Sequence, residues 1–142
     1  MACMLGLDVG TRRIGVARAS NTGPRLASPL CTVERQGLKR DVPALAKICE
    51  REGATQIIVG LPYDLDGGEG RSARLARQIG EALAEVTGLP VRYQDERFST
   101  VEASARLRQG GHDSRAQRGI IDQAAAAVIL QDWMDRGAPE GG

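Results

Sequence analysis

Met4-Leu5-Gly6-Leu7-Asp8-Val9-Gly10-Thr11-Arg12-Arg13-Ile14-Gly15-Val16-Ala17 is the stretch on which the reading of this chain turns. An apolar run enters Asp-Val-Gly and resumes as Ile-Gly-Val-Ala. That is the pattern of a β-hairpin, with Gly10 giving the connection the backbone freedom a tight turn requires. Period two then puts Leu5, Leu7 and Val9 on one face of the first strand and Met4, Gly6 and Asp8 on the other. Asp8 is therefore a charge among side chains that are apolar or absent. Such a placement is costly unless the carboxylate is paired or holds a cation. The competing reading is a solvated Asp at the start of an Asp-Gly type turn.

Outward from this hairpin the chain alternates strand and helix patterns. Arg25 to Glu34 predicts a third strand, and Pro29, which cannot donate to a ladder, makes it an edge. Leu38, Val42, Leu45, Ala46 and Cys49 recur at helical spacing and stop near Gly53. Gln56-Ile57-Ile58-Val59-Gly60 is a continuous apolar run of the kind buried in parallel sheets. Leu75, Ile79, Ala82, Leu83 and Val86 predict a second helix, closed by Gly88. A short strand then runs from Pro90, Ser99-Thr100-Val101-Glu102 forms a capping box that opens a helix, and a final apolar helix begins near Ser114. The order strand, strand, strand, helix, strand, helix, strand, helix, helix describes an α/β layer fold with right-handed parallel crossovers. Its 142 residues suit one domain, 1–142, with 137–142 expected to be a flexible tail.

Two further acids join Asp8. Asp95-Glu96 closes the last predicted strand, and period two lets only one of the pair point into a given site. Glu96 is the preferred ligand because its longer side chain can cross from a strand end towards Asp8; Asp95 is the alternate, and a surface ion pair at a helix entrance is the bland reading. Asp122 lines up at helical spacing with Ala125, Ala126, Ile129 and Trp133, on the stripe that must face the sheet. The alanines there let the helix lie close to its support. Two strand ends and one helix face would thus bring three carboxylates together with no cationic partner in view except a metal. Hard oxygen ligands of this kind suit one or two Mg²⁺ or Mn²⁺ ions, which can drive in-line phosphodiester hydrolysis.

Composition narrows the partners. The net charge of +1 argues against a uniformly basic coating protein. Locally, Arg97, Arg106, Arg108, Arg115 and Arg118 face only Glu102 and Asp113, so this segment suits a phosphate backbone. Arg12 and Arg13 in the hairpin, and Arg71, Arg74 and Arg77 at a helix start, would extend that footprint. Arginine dominates throughout, since Lys39 and Lys47 are the only lysines among 19 basic residues, and part of the clustering is compositional habit. Cys3, Cys31 and Cys49 have neither zinc-site nor disulfide spacing and read as reduced, buried hydrophobes. His112 lies in a Gly-rich loop without a metal-spaced companion. The loop 61–70 lacks the ligands of a calcium loop and is either a flap over substrate or a plain connection. No apolar run approaches the ~20 residues that span a bilayer and no tripartite leader opens the chain, so a cytoplasmic location is expected.

Four motifs, in order and across nearly the whole chain, resemble the YqgF/RuvX family: Asp8-Val9-Gly10-Thr11-Arg12-Arg13-Ile14-Gly15, Val59-Gly60-Leu61-Pro62 with Asp66-Gly67, Asp95-Glu96-Arg97-Phe98-Ser99-Thr100, and Asp122 followed by Ala124-Ala125. The resemblance implies a ribonuclease H-like fold: a mixed five-stranded sheet with an antiparallel three-strand start and helices on both faces. It also implies a divalent-metal site on Asp8, Glu96 and Asp122, and a bacterial nuclease that processes the 5′ end of pre-16S rRNA or, alternatively, resolves Holliday junctions. Arg12, Arg13, Arg97, Ser99, Thr100, Arg115 and Arg118 are the expected nucleic-acid contacts. Arg12 stands where the family usually has Lys, and Asp64 where Asn is usual. A Holliday junction resolvase would need to dimerise, since it cuts two strands symmetrically. Two other classes compete: an actin-like ATPase or sugar kinase, which needs a duplicated domain this chain cannot hold, and a non-catalytic nucleic-acid-binding module, which the intact acid set disfavours.

Overall fold

The computed structural model describes residues 3–20, 26–62, 70–95 and 115–136. The opening hairpin is β1 (Cys3–Val9) and β2 (Arg13–Ser20), followed by β3 (Ser28–Glu34), α1 (Leu38–Glu52), β4 (Ala54–Leu61), α2 (Arg71–Thr87), β5 (Val91–Asp95) and α3 (Arg115–Asp135). The sheet order is β3-β2-β1-β4-β5. β1 runs antiparallel to β2 and parallel to β4, and β4 is parallel to β5. The expected mixed sheet with an antiparallel three-strand start is therefore present. The predicted capping box at Ser99, the loop 63–69, His112 and the tail 137–142 lie outside the described residues.

The alternation in β1 separates two cores. On one face Leu5, Leu7, Val9, Ile14, Val16, Ile57, Val59 and Leu61 pack against Val42, Leu45, Ile48 and Cys49 of α1 and Ala73, Ala76, Ile79 and Leu83 of α2. On the other, Met4, Ala17, Ala19 and Ile58 meet Ala125, Ala126, Ile129, Leu130, Trp133 and Met134 of α3. Of the helical stripes predicted from spacing, Val42, Leu45, Cys49, Ile79 and Leu83 are buried, Ala46, Leu75 and Ala82 are partly buried, and two residues at helix ends are not. Leu38 and Val86, in the first turn of α1 and the last turn of α2, are exposed.

β3 is an edge, as Pro29 requires. Val16 pairs with Cys31 but Ala17 pairs with Pro29, so Leu30 is an extra residue in the outer strand. A bulge there absorbs the missing N–H donor and spoils the edge as a template for further pairing.

α3 comes unusually close to the sheet. A Cβ on Gly6 would lie 2.8 Å from Leu130 Cβ and 3.0 Å from the Ala126 carbonyl oxygen. One on Gly15 would lie 2.0 Å from the Asp122 carbonyl oxygen. These two glycines are thus the footprints of a helix whose backbone rests on strand backbone, with Ala125 and Ala126 adding little bulk. The helix runs from Gly15 towards Gly6, antiparallel to β1, so its Asp122 level meets the carboxyl end of β1.

Candidate active site at the carboxyl edge of the sheet

Asp8 is the penultimate residue of β1 and is buried, on the α3 face. Its cross-strand partner in β2 is Gly15, the residue on which the Asp122 peptide rests. Gly15 is therefore the shared neighbour of two buried acids separated by most of the sequence. Asp122 is itself buried. A Cβ at position 15 would occupy the space that brings these elements together.

The register extends this row across the sheet. Leu7 pairs with Val59, and Gly60 pairs with Gln94. One step beyond the Leu7–Val59 pair, Asp8, Gly60 and Gln94 fall at one level. Gln94 is buried and shares the parity of Gly60 and Ile58, hence the α3 face. Sequence reasoning did not single it out; its only signal was its even spacing with Arg92 and Glu96. Asp95 pairs with Leu61 and follows Val91 and Tyr93, which pack on the α1/α2 core. Its parity is thus opposite to that of Asp8. Glu96, Arg97, Ser99 and Thr100 lie outside the described residues, as do the side chains of Arg115 and Arg118.

One expectation is corrected here. Asp122 has a resident cation: Arg13 Nε donates to its Oδ2 at 2.8 Å, the two side chains being 15% and 9% exposed. Arg13 shares the parity of Gly15 and so points to the α3 face, where a carboxylate with little access to water requires a partner. In this structure its guanidinium serves an acid of the site rather than standing open to solvent. Arg12 differs, being exposed in the β1–β2 connection. Arg77 lies over the Tyr93 ring, 4.9 Å from its centroid, on the α1/α2 side. That side is opposite to Asp8, so Arg77 is engaged on the other face of the sheet.

The connection carrying Arg12 is clamped by a residue the sequence reading did not use. Arg35 donates through its NH1 to the Gly10 carbonyl at 3.0 Å, through its backbone N–H to the Arg12 carbonyl at 2.9 Å, and through Nε to Asp41 Oδ2 at 2.5 Å. Asp41 is almost fully buried and also accepts the Gln36 N–H at 2.9 Å. This ion pair fixes the turn against the start of α1. It thereby fixes the spacing between Asp8 and Arg13.

Among the described residues, no group of three His, Cys, Asp or Glu side chains could hold a metal ion. Asp8 and Asp122 supply two hard oxygen donors from rigid elements, which fits Mg²⁺ or Mn²⁺ and not a thiolate-loving metal. The cysteines take no part. Cys3 and Cys49 are buried in the opposite core, and burial pushes the Cys49 thiol up to about 11.

The sheet order, the two-sided helix layers and the acids at the carboxyl edge define a ribonuclease H-like α/β protein. The fold matches Thermus thermophilus RuvC with a TM-score of 0.59 over 96% of this chain and 97% of that one, at 15% identity. It also matches the yeast mitochondrial Holliday junction resolvase Ydc2, with a TM-score of 0.52 over 92% and 77% at 15% identity. A family model described as "RuvX: Holliday junction resolvase" matches residues 2–136, and the chain belongs to that family. Among curated relatives, a protein of Anaeromyxobacter dehalogenans (strain 2CP-C) is 47% identical over 135 residues, covering 95% of this chain and 98% of the relative. One of Thermosynechococcus vestitus is 42% identical, covering 95% and 89%. Both bear the name "Putative pre-16S rRNA nuclease".

Proposed function

We propose that this chain is a divalent-metal-dependent nuclease that hydrolyses phosphodiester bonds, with the 5′ end of pre-16S rRNA as its substrate. The observation that carries the reading is the convergence of Asp8 and the Asp122 peptide on Gly15. Glu96 completes the proposed donor set with Asp8 and Asp122. Mg²⁺ or Mn²⁺ held by these acids would supply activation of the attacking water and stabilisation of the leaving oxygen. The protein's part is positional. Asp8 stands on the central strand, Asp122 on a helix seated against it, and burial keeps both carboxylates short of competing water. Arg12 on the exposed turn, together with Arg97, Ser99, Thr100, Arg115 and Arg118, would grip the backbone phosphates. The names of the relatives support RNA as the substrate. The location proposed is the cytoplasm; among the described residues, no helix is long and apolar enough to cross a membrane.

A second reading, resolution of Holliday junctions by a homodimer, is favoured by the description of the family model. The two separate in one experiment: a precursor rRNA fragment and a four-way DNA junction are incubated side by side with wild type and Asp8→Asn, in Mn²⁺ and in EDTA. Cleavage of the rRNA fragment that needs both Mn²⁺ and Asp8 is the expected result. Symmetric cutting of the junction alone would move the assignment to the second reading. Cleavage that survives EDTA would refute both.

A further inference from the structure

We propose that Arg13 is an internal counter-ion of Asp122 that a divalent cation displaces on binding the acids, a role that rests on the metal-dependent reading above. Two observations carry it. The first is the pair itself: a 2.8 Å contact between side chains 15% and 9% exposed, at the carboxylate expected to ligate the ion. Two cationic groups served by one largely buried carboxylate repel each other. Without metal, the guanidinium keeps a buried acid compensated. With metal, the same guanidinium opposes loading.

The second observation is room to move. Arg13 lines a cavity of about 410 Å³, together with Thr32, Glu34, Ile120 and Gln123. Glu34 is its direct partner in the β2–β3 register, so the strand beside Arg13 carries a second carboxylate on the same cavity. The wall around this cavity is braced: Thr32 Oγ1 donates to the Gly119 carbonyl and Gln123 Nε2 donates to Thr32 Oγ1, each at 2.9 Å. Arginine is the long, flexible member of this fixed frame. An arginine that merely oriented Asp122 would be packed in place, whereas Arg13 borders open space. In the loaded protein the displaced guanidinium faces that cavity, where Glu34 or a substrate phosphate can receive it.

The test uses the full chain without nucleic acid. Mn²⁺ binding is measured by calorimetry on wild type, Arg13→Gln and Asp8→Asn, with melting temperatures recorded with and without Mn²⁺. Arg13→Gln is expected to bind Mn²⁺ about tenfold tighter than wild type, to melt lower without metal and to gain more from it. In wild type, the Arg13 Nε–H resonance is expected to shift when Mg²⁺ is added, as its carboxylate contact is lost. This second readout decides the matter if Arg13→Gln does not fold. Equal or weaker Mn²⁺ binding by folded Arg13→Gln, or an Nε–H resonance that stays put while Mg²⁺ fills an Asp8-dependent site, overturns the proposal. Mn²⁺ affinity unchanged in Asp8→Asn overturns the metal reading beneath it.

Discussion

Replacing Gly15 by alanine tests whether the acid pair depends on backbone contact between β2 and α3. The added Cβ would lie 2.0 Å from the Asp122 carbonyl oxygen and 2.3 Å from its carbon, where real contacts are not shorter than 3.0 Å. Both obstacles are main chain, so no rotamer change relieves them and α3 must retreat by about 1 Å. Overpacking of this kind costs about 2–3 kcal/mol. For a domain of this size that corresponds to a fall in melting temperature of roughly 6–9 °C. The same retreat carries Asp122 away from Asp8, and a misplacement of about 1 Å in a catalytic group costs on the order of 100-fold in rate. Gly119→Ala is the matched control in the same helix. Its Cβ would meet the Thr32 side chain no closer than 3.4 Å, and removing a glycine from a helix interior stabilises by roughly 0.5–1 kcal/mol. Differential scanning calorimetry should therefore show opposite signs for the two variants, and metal-dependent cleavage should fall only in Gly15→Ala. A Gly15→Ala protein that melts within a degree of wild type and cleaves normally would refute the close-contact account of the site.

Asp8→Asn should keep the fold while losing about 100-fold or more of Mn²⁺-dependent cleavage, checked by circular dichroism and initial rates. Asp41→Ala removes the partner of Arg35 in a pair whose side chains are 1% and 13% exposed; leaving that guanidinium uncompensated should cost about 3–5 kcal/mol in urea unfolding. Cys49, whose thiol burial pushes up to about 11, holds about one thiolate in a thousand at pH 8. Iodoacetamide should label it only after denaturation, and mass spectrometry of the native protein should find Cys49 unmodified.

The strands and helices were legible because their apolar periods match the faces they bury. The hairpin, the Pro29 edge and the stripe through Asp122 each followed from one local pattern, and the resemblance to the RuvX family agrees with the family the chain belongs to. What local pattern could not supply was contact between distant elements. The Arg13–Asp122 pair joins residues 109 positions apart, and its formation depends on the depth at which α3 settles, which Gly6 and Gly15 set together. A sequence reading that saw Arg13 as a phosphate contact had the correct charge but no access to its neighbour. Val86 misled for the opposite reason: its helical phase is right, but it stands in the last turn of α2 and is exposed. Arg35 and Asp41 passed unnoticed because an arginine and an aspartate six positions apart at a helix entrance look like ordinary surface charges until burial is known. Gln94 carries no charge and so offered no signal beyond its parity.

The division of the interior into two cores has a bearing on how the molecule is made. Every strand is synthesised before α3, yet the layer of Met4, Ala17 and Ile58 is covered by that last helix alone among the described elements. A nascent chain can therefore bury its first layer early while the opposite side stays greasy and open to chaperones. Because Asp122 travels with the covering helix, its carboxylate reaches the level of Asp8 only after α3 has docked on that layer.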